Sequence, residues 1–157
     1  MRKFLNLTVA FVAISASAPA LAQTTTTTKT VTTTDDGTVK TTKTRKVKKN
    51  VTPDHAASSV DIKTTSPDGT KRETTDKVTT NSDGSGDSKV THERQSPDGS
   101  SRESSRKVKR NSDGSGETKT ESETTAADGS SVTRKKTVTR NADGSSHVHK
   151  DVKIETK

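Results

Sequence analysis

Valine and isoleucine follow a two-residue period along most of the chain. From residue 60 onward each of them has an even number: Val60, Ile62, Val78, Val90, Val108, Val132, Val138, Val148, Val152 and Ile154. Successive side chains of a β-strand point to opposite faces, so this alternation predicts strands whose apolar residues share one face. Between residues 23 and 51 the valines are all odd: Val31, Val39, Val47 and Val51. Parity therefore changes once, across Thr52 to Ser59, where we predict a kink or a boundary.

A turn motif recurs between the predicted strands. Asp-Gly pairs begin every 15 residues, at Asp68, Asp83, Asp98, Asp113, Asp128 and Asp143. Their flanks alternate between a Ser-Pro-Asp-Gly form and an Asn-Ser-Asp-Gly form, so the full repeat has 30 residues. A type I turn prefers Ser or Asn first and Asp third, and a following glycine in the left-handed conformation completes a three-residue hairpin loop. The spacing thus predicts consecutive antiparallel hairpins.

The loop length also predicts the register. A three-residue loop pairs residues of equal parity, which places Val138 opposite Val148 and Val132 opposite Ile154. On the other face it aligns two rows of like charge across adjacent strands. One row holds Lys77, Lys89, Lys107 and Lys119, and the other holds Glu73, Glu93, Glu103 and Glu123. Because like charges directly opposite one another are unfavourable, the isolated sheet is not optimised for stability.

The composition excludes a compact globule. Hydrophobic residues make up 22% of the chain and aromatic residues 1%, and all Phe, Leu and Met lie in the first 22 residues. The remaining chain has no cysteine to replace a missing core with disulfides. We therefore predict an elongated single-layer antiparallel meander of repeated hairpins with no globular core. A largely disordered chain is the alternative.

The first 22 residues have the features of a secretory signal peptide. Arg2 and Lys3 precede an apolar stretch, and Ala20-Leu21-Ala22 fits the small-residue cleavage pattern. We expect export to the periplasm or secretion, with no transmembrane segment in the mature chain. The mature chain then divides into a disordered Thr-rich lead-in over residues 23–34, a divergent first repeat and kink over residues 35–59, and the Asp-Gly hairpin repeats over residues 60–157.

Clusters of basic residues are the most general functional signal. The chain has 28 Lys and Arg against 20 Asp and Glu, a formal charge of +8. Such clusters attract anionic polymers such as extracellular DNA, anionic polysaccharide or lipopolysaccharide. The mature chain has no aromatic side chain for stacking on bases, so we expect no base-specific recognition. The candidate residues are Lys40, Lys43, Arg45, Lys46, Lys48, Lys49, Arg106, Lys107, Lys109, Arg110, Arg134, Lys135, Lys136 and Arg140.

Two patterns resemble metal sites. Asn81, Asp83, Ser85 and Asp87 offer oxygen ligands at alternate positions, as the start of an EF-hand loop does, but His92 stands where that loop has its bidentate Glu. Ordinary hairpin turns explain the same residues. His147 and His149 are two residues apart, hence on one face of a strand, and could share a soft divalent ion. Two solvated imidazoles are the alternative.

No motif indicates catalysis or a cofactor. The chain has no phosphate-binding loop, dinucleotide fingerprint or zinc-protease helix. Without a core, little excludes water or holds catalytic groups in place. We therefore expect a non-enzymatic, exported repeat protein that acts as a structural or interaction element of the bacterial envelope or extracellular space. Its partners would be other copies of itself, bound through strand edges, or an anionic polymer or envelope surface. The alternatives are a basic polyanion-binding module and a low-affinity calcium-responsive ribbon.

Overall fold

The structure, a computed structural model, describes residues 5–13, 22–33 and 39–157; side chains are described for residues 23–31 and 41–157. These residues form one antiparallel sheet in which every strand pairs with its neighbours in sequence. The prediction of a single-layer antiparallel meander is confirmed. The strands are β1 Leu5–Ala13, β2 Ala22–Thr33, β3 Val39–Val51, β4 His55–Thr65, β5 Lys71–Asn81, β6 Gly86–Gln95, β7 Ser101–Arg110, β8 Gly116–Thr125, β9 Ser131–Arg140 and β10 Ser146–Glu155.

The Asp-Gly motifs form the hairpin loops that the sequence predicts. In the last of them the Asn141 N–H donates to the Ser145 carbonyl at 2.9 Å, and the Gly144 N–H donates to the Asn141 carbonyl at 3.0 Å. Gly144 has a φ of 85°, in the left-handed region that favours glycine. This loop pairs residues of equal parity. Val148 lies opposite Val138, and Ile154 lies opposite Val132, as predicted.

The change in valine parity comes from a shorter loop. Thr52 and His55 bond to each other through both backbone groups, so the β3–β4 hairpin has a two-residue loop. Such a loop pairs residues of opposite parity, and Val47 of β3 therefore lies opposite Val60 of β4. The segment that we predicted to be a kink or boundary thus continues the sheet.

The amino-terminal part of the sheet departs from the prediction in two ways. Residues 23–34, predicted to be a disordered lead-in, supply most of β2, because β-branched threonines suit an extended chain that pairs with β3. The β2–β3 pair also contains a bulge: Thr32 lies opposite Thr41 but Thr33 lies opposite Val39, which leaves Lys40 as an extra residue. Beyond this bulge Val31 lies opposite Thr42, so it does not share a face with Val47, contrary to its parity.

The sheet has two solvent-facing sides and no core. Among the residues whose side chains are described, no hydrophobic side chain is buried, and Thr70 is the one buried polar residue. Even-numbered residues of β4–β10 share one side with odd-numbered residues of β3, which we call the valine–arginine face. The remaining positions of these strands form the lysine–glutamate face. Both faces are therefore available to partners.

The described residues contain no helix, and hence none that is long and apolar enough to cross a membrane. Strand β1 lies within the predicted signal peptide, so cleavage after Ala22 would leave β2–β10. The lysine row and the glutamate row are both present in the predicted register, across β5–β8.

Candidate polyanion-binding face

The register places the arginines and the glutamates on opposite faces of the sheet. The arginines after the predicted leader all lie on the valine–arginine face: Arg45, Arg72, Arg94, Arg102, Arg106, Arg110, Arg134 and Arg140. The glutamates all lie on the lysine–glutamate face: Glu73, Glu93, Glu103, Glu117, Glu121, Glu123 and Glu155. The two sides of the sheet therefore differ strongly in charge.

Within the strands β4–β10 the valine–arginine face has nine basic residues and one acidic residue, Asp76. The basic residues are the seven arginines from Arg72 to Arg140, together with Lys136 and Lys150. Lys43, Arg45 and Lys49 of β3 extend the same face. All of the excess positive charge in β4–β10 thus projects from one side of the sheet.

The arginines are close to one another across the sheet. Arg72, Arg94 and Arg102 lie directly opposite each other on β5, β6 and β7. Adjacent strands are about 4.8 Å apart, so the backbones that carry these guanidinium groups are closer than a Debye length of about 8 Å. All three side chains are exposed. Because like charges opposite one another repel, an anionic ligand would relieve this arrangement.

Strand β7 carries the highest density of arginine. Arg102, Arg106 and Arg110 occupy every second position of the valine–arginine face along this strand, four residues or about 13 Å apart. The guanidinium group is planar and presents paired donors that match phosphate and carboxylate oxygens. This strand thus presents three exposed guanidinium groups on one face, with Val108 between Arg106 and Arg110.

The one acidic strand residue on this face lies at its apolar centre. Asp76 is directly opposite Val60 on one side and Val90 on the other. One of its carboxylate oxygens, Oδ1, is buried and has no hydrogen-bond partner. Asp76 therefore offsets only one of the nine positive charges that the strands β4–β10 carry on this face.

The linear clusters named from the sequence divide between the faces. Lys43, Arg45, Lys49, Arg106, Arg110, Arg134, Lys136 and Arg140 lie on the valine–arginine face. Lys46, Lys48, Lys107, Lys109 and Lys135 lie on the lysine–glutamate face. Lys40 is the extra residue of the β3 bulge, and its side chain lies outside the described ones. Neighbours in sequence point to opposite sides of a strand, which is why the clusters divide.

Sequence reasoning missed three arginines of this face, Arg72, Arg94 and Arg102, because they are not part of a linear cluster. Their signal was the same parity that the valines follow. Every arginine from Arg72 onward has an even number. Parity of arginine, applied with the same loop rule, would have found the whole face.

The other face is nearly balanced in charge. Within β4–β10 it carries nine lysines and ten acidic residues. Some of them pair: Lys63 with Glu73 at 2.8 Å, and Lys135 with Glu121 at 2.9 Å. These carboxylates raise the pKa of Lys63 and Lys135. The positive and negative charges of this face therefore nearly cancel within these strands.

The carboxylates of the turn aspartates accept hydrogen bonds within their own turns. Asp83 Oδ1 accepts hydrogen bonds from the Ser85 hydroxyl at 2.6 Å and from the Ser85 N–H at 2.9 Å. These two bonds lower the pKa of Asp83, and the turns around Asp98, Asp113, Asp128 and Asp143 repeat them. In the first repeat Thr70 takes the serine's place, and its N–H and hydroxyl lower the pKa of Asp68.

The four candidate calcium ligands belong to one such hairpin. Asn81 Nδ2 donates to the Ser85 hydroxyl at 3.0 Å, and Asn81 Oδ1 lies 2.8 Å from His55 Nδ1. Asp87 is already in β6, opposite Thr79. The EF-hand-like glycine, Gly86, has another explanation: an added Cβ would collide with the Thr79 carbonyl oxygen. Asn81, Asp83 and Ser85 thus have roles within the hairpin turn, and calcium binding by the four residues stays a prediction.

The two histidines of β10 share one face, as predicted. His147 lies opposite Thr139 and His149 opposite Thr137, on the lysine–glutamate face. Both are exposed. Within the part of the chain that the structure describes, no three His, Asp or Glu residues are grouped so that they could hold a metal ion.

Comparison with known proteins finds no family model, no curated protein and no solved structure that matches this chain.

Proposed function

We propose that the chain is an exported, non-enzymatic interaction element of the bacterial envelope or extracellular space that binds anionic polymers on its valine–arginine face. One observation carries the proposal: every arginine after the predicted leader lies on that face. Random placement of charge for solubility alone would distribute arginine over both faces. The ligands that match this chemistry are polymers with repeated phosphate or carboxylate groups, such as DNA, anionic polysaccharide or lipopolysaccharide.

The expected mechanism is electrostatic and independent of sequence. Phosphate or carboxylate groups would replace the counterions of the exposed guanidinium groups, so affinity should fall steeply with salt. Valines between the arginines add apolar contact for sugar rings or acyl chains. The chain after residue 22 has no Phe, Tyr or Trp, so stacking of bases on these rings does not contribute.

The exposed edge of the sheet supports a role in association with other chains. β10 is at one edge of the sheet and all of its residues are exposed. Val152 is 59% exposed and Ile154 is 67% exposed. An unpaired edge strand with exposed apolar residues can accept a further strand from another chain.

The test is titration of the full chain with double-stranded DNA and with an anionic polysaccharide over a salt series. For DNA, the logarithm of the affinity should fall linearly with the logarithm of salt, by about 0.9 per phosphate contacted. The variant Arg94→Gln, Arg102→Gln, Arg106→Gln should reduce that slope by up to about 3 and weaken binding by at least about tenfold at low salt.

The matched control removes the same charge from the other face. Lys71→Gln, Lys109→Gln, Lys135→Gln changes the net charge equally, and the three lysines are exposed on the lysine–glutamate face. It should bind nearly as the unmodified chain does. Equal weakening by both triple variants would show that net charge alone acts, and would remove the arginine face from the proposal. An unmodified chain without affinity at low salt would remove the polyanion function altogether.

A further inference from the structure

Two parallel rows of charge cross the lysine–glutamate face on β5–β8. The lysine row consists of Lys77, Lys89, Lys107 and Lys119, and the glutamate row of Glu73, Glu93, Glu103 and Glu123. Between them, on β5–β7, lies a row of hydroxyl residues: Thr75, Thr91 and Ser105. On each strand the lysine and the glutamate are four residues apart, about 13 Å.

Most members of these rows have no partner within the sheet. Among the described residues, Lys77, Lys89, Lys107, Glu93, Glu103 and Glu123 form no ion pair. Each instead has a like charge directly opposite it on the next strand, at the strand spacing of about 4.8 Å. This repulsion destabilises the isolated sheet. A row of opposite charge placed over each row would replace the repulsion with attraction.

The face is complementary to itself. A two-fold axis that runs parallel to the rows, above the hydroxyl row, carries the lysine row of one copy over the glutamate row of the other. The same rotation carries the glutamate row over the lysine row, and hydroxyls meet hydroxyls. On β8 the middle row holds Glu121, whose charge is balanced by Lys135 at 2.9 Å.

We propose that two copies of this chain pair face to face through their lysine–glutamate faces in an isologous dimer. Two-fold symmetry makes the contact closed, because each copy uses the same patch. Packed sheets lie about 10 Å apart, a distance that extended Lys and Glu side chains span together. The four strands that carry the rows cover about 600 Å², and β4, β9 and β10 bring the whole face to about 1,000 Å², close to the roughly 800 Å² per partner of a standard interface. Both valine–arginine faces then point outward.

Charge inversion on two adjacent strands tests the pairing. Lys89→Glu, Lys107→Glu gives a face with acidic residues in both rows, and Glu93→Lys, Glu103→Lys gives a face with basic residues in both rows. By sedimentation at about 20 mM salt, the unmodified full chain should be a dimer that dissociates at about 0.5 M salt, because the contact is ionic. Each variant alone should raise the dissociation constant by at least about tenfold. An equimolar mixture of the two should form a heterodimer.

The control variant Arg94→Glu, Arg102→Glu changes the net charge as Lys89→Glu, Lys107→Glu does, on the same two strands but on the opposite face. It should remain dimeric. Recovery of association on mixing the two inverted variants also shows that each is folded. Three results would each overturn the proposal: an unmodified chain that is monomeric at low salt, an inverted variant that still dimerises, or a mixture that stays monomeric. The second of these would indicate association through strand edges.

Discussion

At the scale of single residues, the six turn aspartates stabilise the hairpin loops. Each is exposed, yet each accepts two hydrogen bonds from the Ser or Thr two positions later. The ionised carboxylate is a stronger acceptor than the protonated carboxyl group, which is why these bonds lower the pKa of these groups below the ordinary value of 3.8. Folding is thereby coupled to pH.

The sign of that coupling yields a prediction. A lowered pKa in the folded state adds stability that is present above the ordinary aspartate pKa and is lost as pH falls through the folded value. We expect the β signal in far-ultraviolet circular dichroism to decrease below about pH 4. Asp→Asn at all six turns keeps an acceptor oxygen without the titration, so that variant should hold its signal in acid.

The control for acid sensitivity is Asp61→Asn, Asp87→Asn, Asp151→Asn, which changes strand aspartates instead. It should titrate as the unmodified chain does. If the six-turn variant lost its signal over the same pH range as the unmodified chain, the turns would not be the source of the acid response.

At the scale of elements, each hairpin with an Asp-Gly loop depends on a glycine with a positive φ. Gly144 closes the β9–β10 hairpin with a φ of 85°, and no atom lies within 4 Å of where its Cβ would be. Steric clash therefore plays no part, and any cost of substitution comes from the backbone conformation alone.

We predict that Gly144→Ala destabilises the β9–β10 hairpin by about 1–2 kcal/mol, the usual cost of an alanine in the left-handed region. Gly144→Asn should cost less, since asparagine enters that region more readily. Amide hydrogen exchange of β10, at Val148 for example, measures both. Equal protection in the two variants would contradict this account of the turn.

Loop length is the second property at the scale of elements. Three-residue loops preserve parity, and the two-residue loop between Thr52 and His55 reverses it. The parity break could be located from the sequence because the valines change there. The cause of the break could not be identified from the sequence, because a change of loop length and an interruption of the sheet produce the same change in valine parity.

At the scale of the whole molecule, the repeat has 30 residues although the turns recur every 15. Fifteen is odd, so positions 15 apart lie on opposite faces: Val78 is followed by Glu93, and Glu93 by Val108. Only a displacement of 30 residues restores the same face. The alternation of the two turn forms therefore coincides with the alternation of faces.

Excision of whole repeats tests this rule. Removal of residues 86–115 joins Ser85 to Gly116 and recreates the native Asp-Gly-Ser-Gly turn, so we expect a sheet two strands shorter with the same β signal per residue. Removal of residues 86–100 instead moves every downstream valine and arginine to the other face. This shorter excision should lose β signal and polyanion affinity, by circular dichroism and by the DNA titration. Similar behaviour of the two excisions would show that the faces do not matter to folding or to binding.

Much of this fold and of its candidate site could be predicted from residues alone, because turn chemistry and strand alternation are local. The Asp-Gly motifs specify the loops, the loops specify the register, and the register brings the lysine and glutamate rows together. The arginine face was within reach of the same rule, but linear clustering obscured it: Arg106 and Lys107 are adjacent in sequence and lie on opposite sides of the sheet.

The sequence by itself thus determined the positions of the turns, the pairing of strands from residue 60 onward and the division of charge between the faces. Only the tertiary structure decided the register of β2. Its Thr-rich chain has little alternation of its own, so pairing with β3 and the bulge at Lys40 set which side each residue occupies. Val31 lies on the lysine–glutamate face for this reason, because register without a local signal depends on the partner strand.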